Sequence, residues 1–318
     1  MHTICIFLCL FINFVVSYEV VPISSELWMQ TYSAHWDDAS QSLYFVDYLS
    51  KSRAINRYDI AKDKVYSASV EGIEPVAFIL PLKKCCNRFL IGDELSVKVI
   101  EWDGKDKKAR IVREEFNVEK YEGDAPNSLS IARASPNCEF YGGTLITDFC
   151  GATKAGNASL YHYSKCCGVK QIWGDLLLSA GLDWNVDENK FYHIDSCKRE
   201  LREYDWDSKT GKIQYYPVGL TVDTDGFVYV AMYYGGAVLK VDPRSSKLVK
   251  EIEIPAKIVS SVAFGGKHLD TLFVTSGGRG YNFNTGDLTN KRYRGESGSV
   301  FMVKDLNAKG FPGRSVCL

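Results

Sequence analysis

The chain has 318 residues, 46% of them hydrophobic and 13% aromatic, with a formal net charge of -1 at pH 7. That near-neutral balance excludes recognition of nucleic acid or of an anionic membrane by bulk charge, because counterion release needs a basic face. The length admits two domains or one large all-β domain, and 19 Tyr and 16 Phe against 4 Met, with recurring Gly turns, favour many short strands.

In chain order, Met1 to Ser17 come first, almost unbroken in apolar residues and ending Val15-Val16-Ser17. The run is too short to span a bilayer comfortably, and Ser17 with Val15 two before it suits signal peptidase, although no Lys or Arg precedes it. The expectation is a signal peptide over 1–17 and a secreted, extracellular product over 18–318, a single domain without a membrane span. Cys5 and Cys9 leave with that segment; Cys85, Cys86, Cys138, Cys150, Cys166, Cys167, Cys197 and Cys317 remain. An even number in an oxidising compartment, with no C-x-x-C spacing, points to structural disulfides of open connectivity rather than to zinc or a redox motif. In the vicinal pairs Cys85-Cys86 and Cys166-Cys167, strand alternation would let one residue bridge while the other is buried. Asn157-Ala158-Ser159 is a glycosylation acceptor sequence.

The strongest signal is internal repetition. Trp36 to Tyr44-Phe45-Val46-Asp47 and Trp184 to Tyr192-His193-Ile194-Asp195 share one spacing. Each continues to a strand ending Tyr58-Asp59 or Tyr204-Asp205, then to a third beginning Lys64-Val65-Tyr66 or Lys212-Ile213-Gln214. Gly219-Leu220-Thr221-Val222-Asp223 repeats Gly181-Leu182-Asp183-Trp184-Asn185 at a distance of 38 residues. A period near 40 with several short strands is that of a propeller blade, which cannot bury both faces alone and must stack on neighbours. Weaker copies span Pro75 to Phe116, Asn127 to Ala180, and Ile258 to the C-terminus. The expected fold is all-β, a six-bladed β-propeller of four-stranded antiparallel blades. Asp103-Gly104, Thr210-Gly211, Asp225-Gly226 and Gly235-Gly236 supply turns, and charge-rich Asp103 to Arg113 reads as an exposed hairpin. Trp36, Trp184, Tyr192, Tyr229 and Tyr233 recur at strand positions, which suits packing between blades.

Gly181-Leu182-Asp183-Trp184, followed by Phe191-Tyr192 and Ile194-Asp195-Ser196, resembles the fourth-blade signature of the regucalcin, gluconolactonase and luciferin-regenerating enzyme family. So do Phe140-Tyr141-Gly142-Gly143-Thr144, Gly235-Gly236-Ala237-Val238 leading to Val241-Asp242-Pro243, and Ser260 to Gly266 leading to Leu272-Phe273-Val274-Thr275, in the family's order over about Trp28 to Gly310. The resemblance implies a divalent cation, usually calcium or zinc, at one mouth of a central channel and a lactone-hydrolysing or related activity. The family holds that cation with a Glu in the first blade, an Asn just before Gly-Leu-Asp-Trp, and an Asp in a Pro-Asp-Gly segment. Here those positions are Tyr32, Ala180 and Val218, and the family's substrate-contacting Asn-Asp-Gly reads Ser130-Ile131-Ala132.

Calcium wants six to eight oxygen ligands with carboxylates among them; Ala and Val side chains supply none, and a phenol is neutral at pH 7. Without the cation there is no Lewis acid for a lactone carbonyl, and without the Asp no general base. The expectation is therefore a catalytically degenerate propeller with no cofactor and no catalytic residue at these positions, binding an unknown small ligand or an extracellular protein. The alternative is a metal-dependent lactone hydrolase that holds calcium or zinc through substitute ligands. Glu26 lies near Tyr32, but it sits too far before Trp36 without a gap. His35, His162, His193 and His268 lack metal-ligand spacing; His35, near the channel end of its strand, is the one able to join Tyr32, and a structural role is expected for it. No nucleophile elbow or phosphate-binding glycine motif occurs.

Overall fold

The computed structural model describes residues 18–73, 75–83, 87–123, 126–146, 158–185, 190–204, 208–212, 216–282, 287–292 and 297–317. The expected signal peptide, Cys85, Cys86, Cys150 and the acceptor Asn157 lie outside the described residues. The one α-helix among the described residues is Glu119–Glu122, too short to cross a membrane.

Strands pair antiparallel in chain order. Thr31–Asp37, Ser42–Asp47, Ile55–Asp59 and Lys64–Val70 make the first meander, and Val76–Pro81, Arg88–Asp93, Ser96–Glu101 and Lys108–Asn117 the second. They count as one eight-stranded sheet, but only Ser69 with Lys108 and Val70 with Ala109 join them, in parallel. Asn127–Ala134, Phe140–Ile146, Ala158–Ser164 and Gly168–Leu176 form the third meander; Ser179–Trp184, Phe191–Asp195, Glu200–Tyr204 and Ser208–Lys212 form the fourth. Tyr216–Val222, Val228–Tyr233, Ala237–Asp242 and Lys247–Glu253 form the fifth. The last combines Ile258–Gly265, Thr271–Gly277 and Val300–Lys304 with the N-terminal strand Glu19–Pro22, paired from Glu19 on Lys304 to Pro22 on Phe301. A two-stranded pair, Arg279–Asn282 with Asp287–Arg292, stands apart. The sheets are thus less uniform than the repeat period predicts.

The first strand of each meander lies against the first strand of the next, and Ile258–Gly265 returns to Thr31–Asp37, which closes a ring. The repeated residues explain why. Trp36 stacks on Phe273 of the last meander, ring centroids 5.4 Å apart, and Trp184 meets Tyr141 of the third edge-on at 5.2 Å. Each repeated Trp therefore fills the seam with the preceding sheet. The repeated Asp ends the second strand and ties down the backbone entering the first strand of its own sheet. Asp47 accepts from the Met29 and Gln30 amides at 3.0 and 2.8 Å, and Asp195 from those of Leu177 and Leu178, both at 3.2 Å. Asp195→Ala is expected to lower stability by about 1–3 kcal/mol for each amide left unpaired, read as a lower urea midpoint at unchanged slope.

Asp103 to Arg113 form the expected exposed hairpin, with the Asp103 carboxylate accepting from the Lys105 and Asp106 amides at 2.8 Å. Cys197 is disulfide-bonded, whereas Cys138, Cys166 and Cys167 carry thiols, contrary to the expectation of bridges. Cys166 and Cys167 sit exposed in the turn between Ala158–Ser164 and Gly168–Leu176, so strand alternation does not separate them, and their sulfurs are 2.7 Å apart. The Cys138 sulfur takes a hydrogen bond from Lys83 Nζ at 3.1 Å.

Candidate functional site

Every first strand breaks register near its start. Pairing with the second strand shifts between Tyr32 and His35, Val76 and Ile79, Leu129 and Ile131, Ser179 and Gly181, Pro217 and Gly219, and Val259 and Ser261. Such bulges release residues from the ladder and re-aim their side chains. The released residues are Ser33 with Ala34, Ala77 with Phe78, Ser130, Ala180, Val218 and Ser260. Three of the positions singled out from sequence, Ser130, Ala180 and Val218, are thus bulge residues, and Tyr32 and Ile131 flank bulges. Close approach of the first strands explains the glycine after Val218: a Cβ on Gly219 would stand 2.7 Å from Ser261 Cα. Ser33 takes a left-handed φ of 55°, a conformation that costs a non-glycine residue about 1–2 kcal/mol.

Tyr32 is half-buried, and its hydroxyl donates to the Ala180 carbonyl at 3.3 Å. The first and fourth meanders are three steps apart in either direction round the ring, so the phenol crosses the channel. Burial pushes its pKa well above the ordinary value, with the Arg133 charge opposing in part, and it stays neutral. Ser130 Oγ donates to the Ser179 and Gly143 carbonyls, and Ser260 Oγ to the Thr31 carbonyl at 2.6 Å; these hydroxyls lock neighbouring strands together. Ile131 is 2% exposed and packs with Leu160 and Leu182. Glu26 pairs with Arg53 on the surface, at 3.1 Å.

The cation implied by the family resemblance does not fit these residues. The three positions offer one neutral phenol, already donating to a carbonyl, and the carbonyls of Ala180 and Val218. A hard divalent ion needs six to eight oxygens with anionic charge among them to offset its desolvation. No group of three His, Cys, Asp or Glu able to hold a metal occurs among the described residues.

Towards the other ends of the first strands the channel interior is charged. Arg133, Asp183, His35 and Thr221 line it, closed off by Phe311 to Arg314 of the C-terminal segment. Burial pushes the His35 imidazole down to about 3, with the Arg133 charge adding to the effect. Burial also lowers the Arg133 pKa, against the attraction of Asp183, and raises that of Asp183, against Arg133 and Arg314. His193 is buried, its Nε2 2.9 Å from Ser179 Oγ, and His162 meets Glu139 at 2.9 Å; neither faces Tyr32. Sequence reasoning missed Arg133, although a charged residue between Ala132 and Ala134 in a buried strand was a usable signal.

Residues 31–278 match the family described as SMP-30/Gluconolactonase/LRE-like region. Regucalcin of Gallus gallus is 26% identical over 309 residues, 93% of this chain and 97% of that protein. A luciferin-regenerating enzyme of known structure is 30% identical, with a TM-score of 0.83 over 95% of this chain and 100% of that one. A calcium-binding protein, regucalcin, of Agrobacterium tumefaciens is 16% identical with a TM-score of 0.73, covering 93% and 97%, a likeness of fold.

Proposed function

Since the chain belongs to the SMP-30/gluconolactonase/LRE-like family, we propose that it is a secreted six-bladed β-propeller of four-stranded blades that has lost the family's metal-dependent chemistry and binds an extracellular ligand or protein. The closed ring of first strands and the two-residue join inside the eight-stranded sheet support six blades. The apolar run over Met1 to Ser17 and the disulfide at Cys197 support secretion.

The observation that carries the loss of chemistry is the Tyr32 phenol, which spans the channel to the Ala180 carbonyl. It fills the space between the positions matching the family's ligands and brings no charge. Lactone hydrolysis by the family's route needs an electrophile to polarise the carbonyl and a base to activate water; Ala180 and Val218 provide neither. What this mouth offers instead is a phenol rim with polar backbone, suited to a neutral or aromatic group.

Calorimetric titration of the mature protein with calcium, zinc and manganese, run beside a lactone-hydrolysis assay, tests this. No saturable heat and no metal-dependent turnover are expected. The triple variant Tyr32→Glu, Ala180→Asn, Val218→Asp is expected to gain calcium binding. Tight binding with metal-dependent turnover in the unaltered protein would establish the alternative, a lactone hydrolase with substitute ligands.

A further inference from the structure

Below Tyr32 the channel holds a cavity of ≈ 50 Å3 lined by His35, Arg133, Asp183, Thr221, Phe311 and Arg314. Its floor is the C-terminal segment, fastened on both sides. The Thr224 amide donates to the Lys309 carbonyl at 2.7 Å and the Gly310 amide to the Leu269 carbonyl at 2.9 Å; farther on, the Val316 amide donates to the Pro81 carbonyl at 3.0 Å and the Lys83 amide to the Val316 carbonyl at 2.7 Å. Between these ties Gly313 presses into the channel, where a Cβ would lie 2.7 Å from His35 Nε2.

Three side-chain polar atoms of the residues lining this cavity have no hydrogen-bond partner, Arg133 Nη1, His35 Nε2 and Trp184 Nε1; the last belongs to the ring that fills the seam with Tyr141, which leaves the first two as the donors of the site. His35 is 3% exposed and neutral, so its Nε2 carries a proton in one of its two tautomers and can donate; the guanidinium donates always. Asp183, the one carboxylate lining the cavity, accepts from Thr221 and is shared between Arg133 and Arg314. The lining therefore holds two guanidiniums against one carboxylate. Each buried donor left unpaired costs about 1–3 kcal/mol, more for the charged guanidinium. The space exceeds the ~10–15 Å3 that one water requires.

From the two unpartnered donors on one cavity, whose lining carries two guanidiniums and one carboxylate, we infer that the cavity is a binding site for a small monovalent anion of halide size, held between Arg133 Nη1 and His35 Nε2. A cation would meet like charge, and an apolar guest would leave both donors unsatisfied. Neither Tyr32, Ala180 nor Val218 lines the cavity, so the inference does not rest on the reading of that mouth.

Crystals of the mature protein grown in sodium bromide test it by anomalous diffraction. A bromide peak within hydrogen-bonding distance of Arg133 Nη1 and His35 Nε2 is the expected result; water at that position and no peak would overturn the inference. In solution, replacing methanesulfonate with chloride at constant ionic strength is expected to raise the melting temperature saturably. Arg133→Met is expected to weaken that response about tenfold or more, the share of a charge-assisted hydrogen bond. Should that variant fail to fold, the anomalous map of the unaltered protein decides alone. Melting indifferent to chloride in the unaltered protein would also overturn it.

Discussion

Trp184→Ala is expected to destabilise the protein by about 3–5 kcal/mol, the cost of emptying a core position of a large aromatic side chain. Trp184 is 2% exposed and contacts Tyr141 of the preceding meander as well as Phe191 of its own, ring centroids 5.2 and 5.0 Å apart. The cavity would open at a seam between sheets, where no local hydrogen bonding compensates. Against a typical total of about 5–15 kcal/mol, the loss is a large fraction. Trp184→Phe separates packing from polarity: the indole Nε1 has no hydrogen-bond partner, so the phenylalanine forfeits volume and no hydrogen bond. Urea midpoints should rank unaltered protein, Trp184→Phe, Trp184→Ala in falling order. An alanine variant within about 1 kcal/mol of the parent, the range of minor changes, would refute the seam role.

Acidification should act almost as strongly through His193. Burial pushes its imidazole down to about 3, with Arg202 and Lys198 adding to the effect, whereas in the unfolded chain it titrates near 6.5. Between those values the unfolded state binds the extra proton. Stability is therefore complete above about pH 6.5 and falls as pH drops toward 3, at up to about 1.4 kcal/mol per pH unit. At pH 4 the expected loss is about 3 kcal/mol. Asp47 and Asp183, whose carboxyls burial pushes up, work in the opposite direction, so a variant at His193 is needed to isolate the histidine. His35 shares the direction, but an anion in its cavity would oppose it. Urea midpoints at pH 7 and pH 5 should differ in the parent and converge in His193→Gln, since the amide keeps a partner for Ser179 without titrating. Equal parental midpoints at the two pH values would contradict the assignment.

Much of the architecture was legible because it is written in short-range patterns. The matched spacing of Trp36 to Asp47 and Trp184 to Asp195 exposed the meander, and the structure gives it a cause: the Trp fills a seam between sheets and the Asp caps its own. The positions matching the family's ligands were found by the same route, since Ala180 and Val218 are flanked by matching residues on both sides. That they occupy bulges was not legible, because a bulge leaves no residue signature beyond a glycine. The disulfide expectation failed at Cys138, Cys166 and Cys167, as counting cysteines says nothing of where a turn puts two sulfurs.

From its own order of residues the chain determined an all-β meander of short strands and the absence of carboxylates at the matched positions, because strand alternation and turn chemistry act over a few neighbours. Only the tertiary structure decided that Glu19–Pro22 completes the last sheet, that Tyr32 reaches Ala180, and that Arg133 and His35 face one cavity beneath Gly313. These contacts join residues roughly a hundred or more positions apart, and they arise from closure of the ring, which has no counterpart in any local pattern.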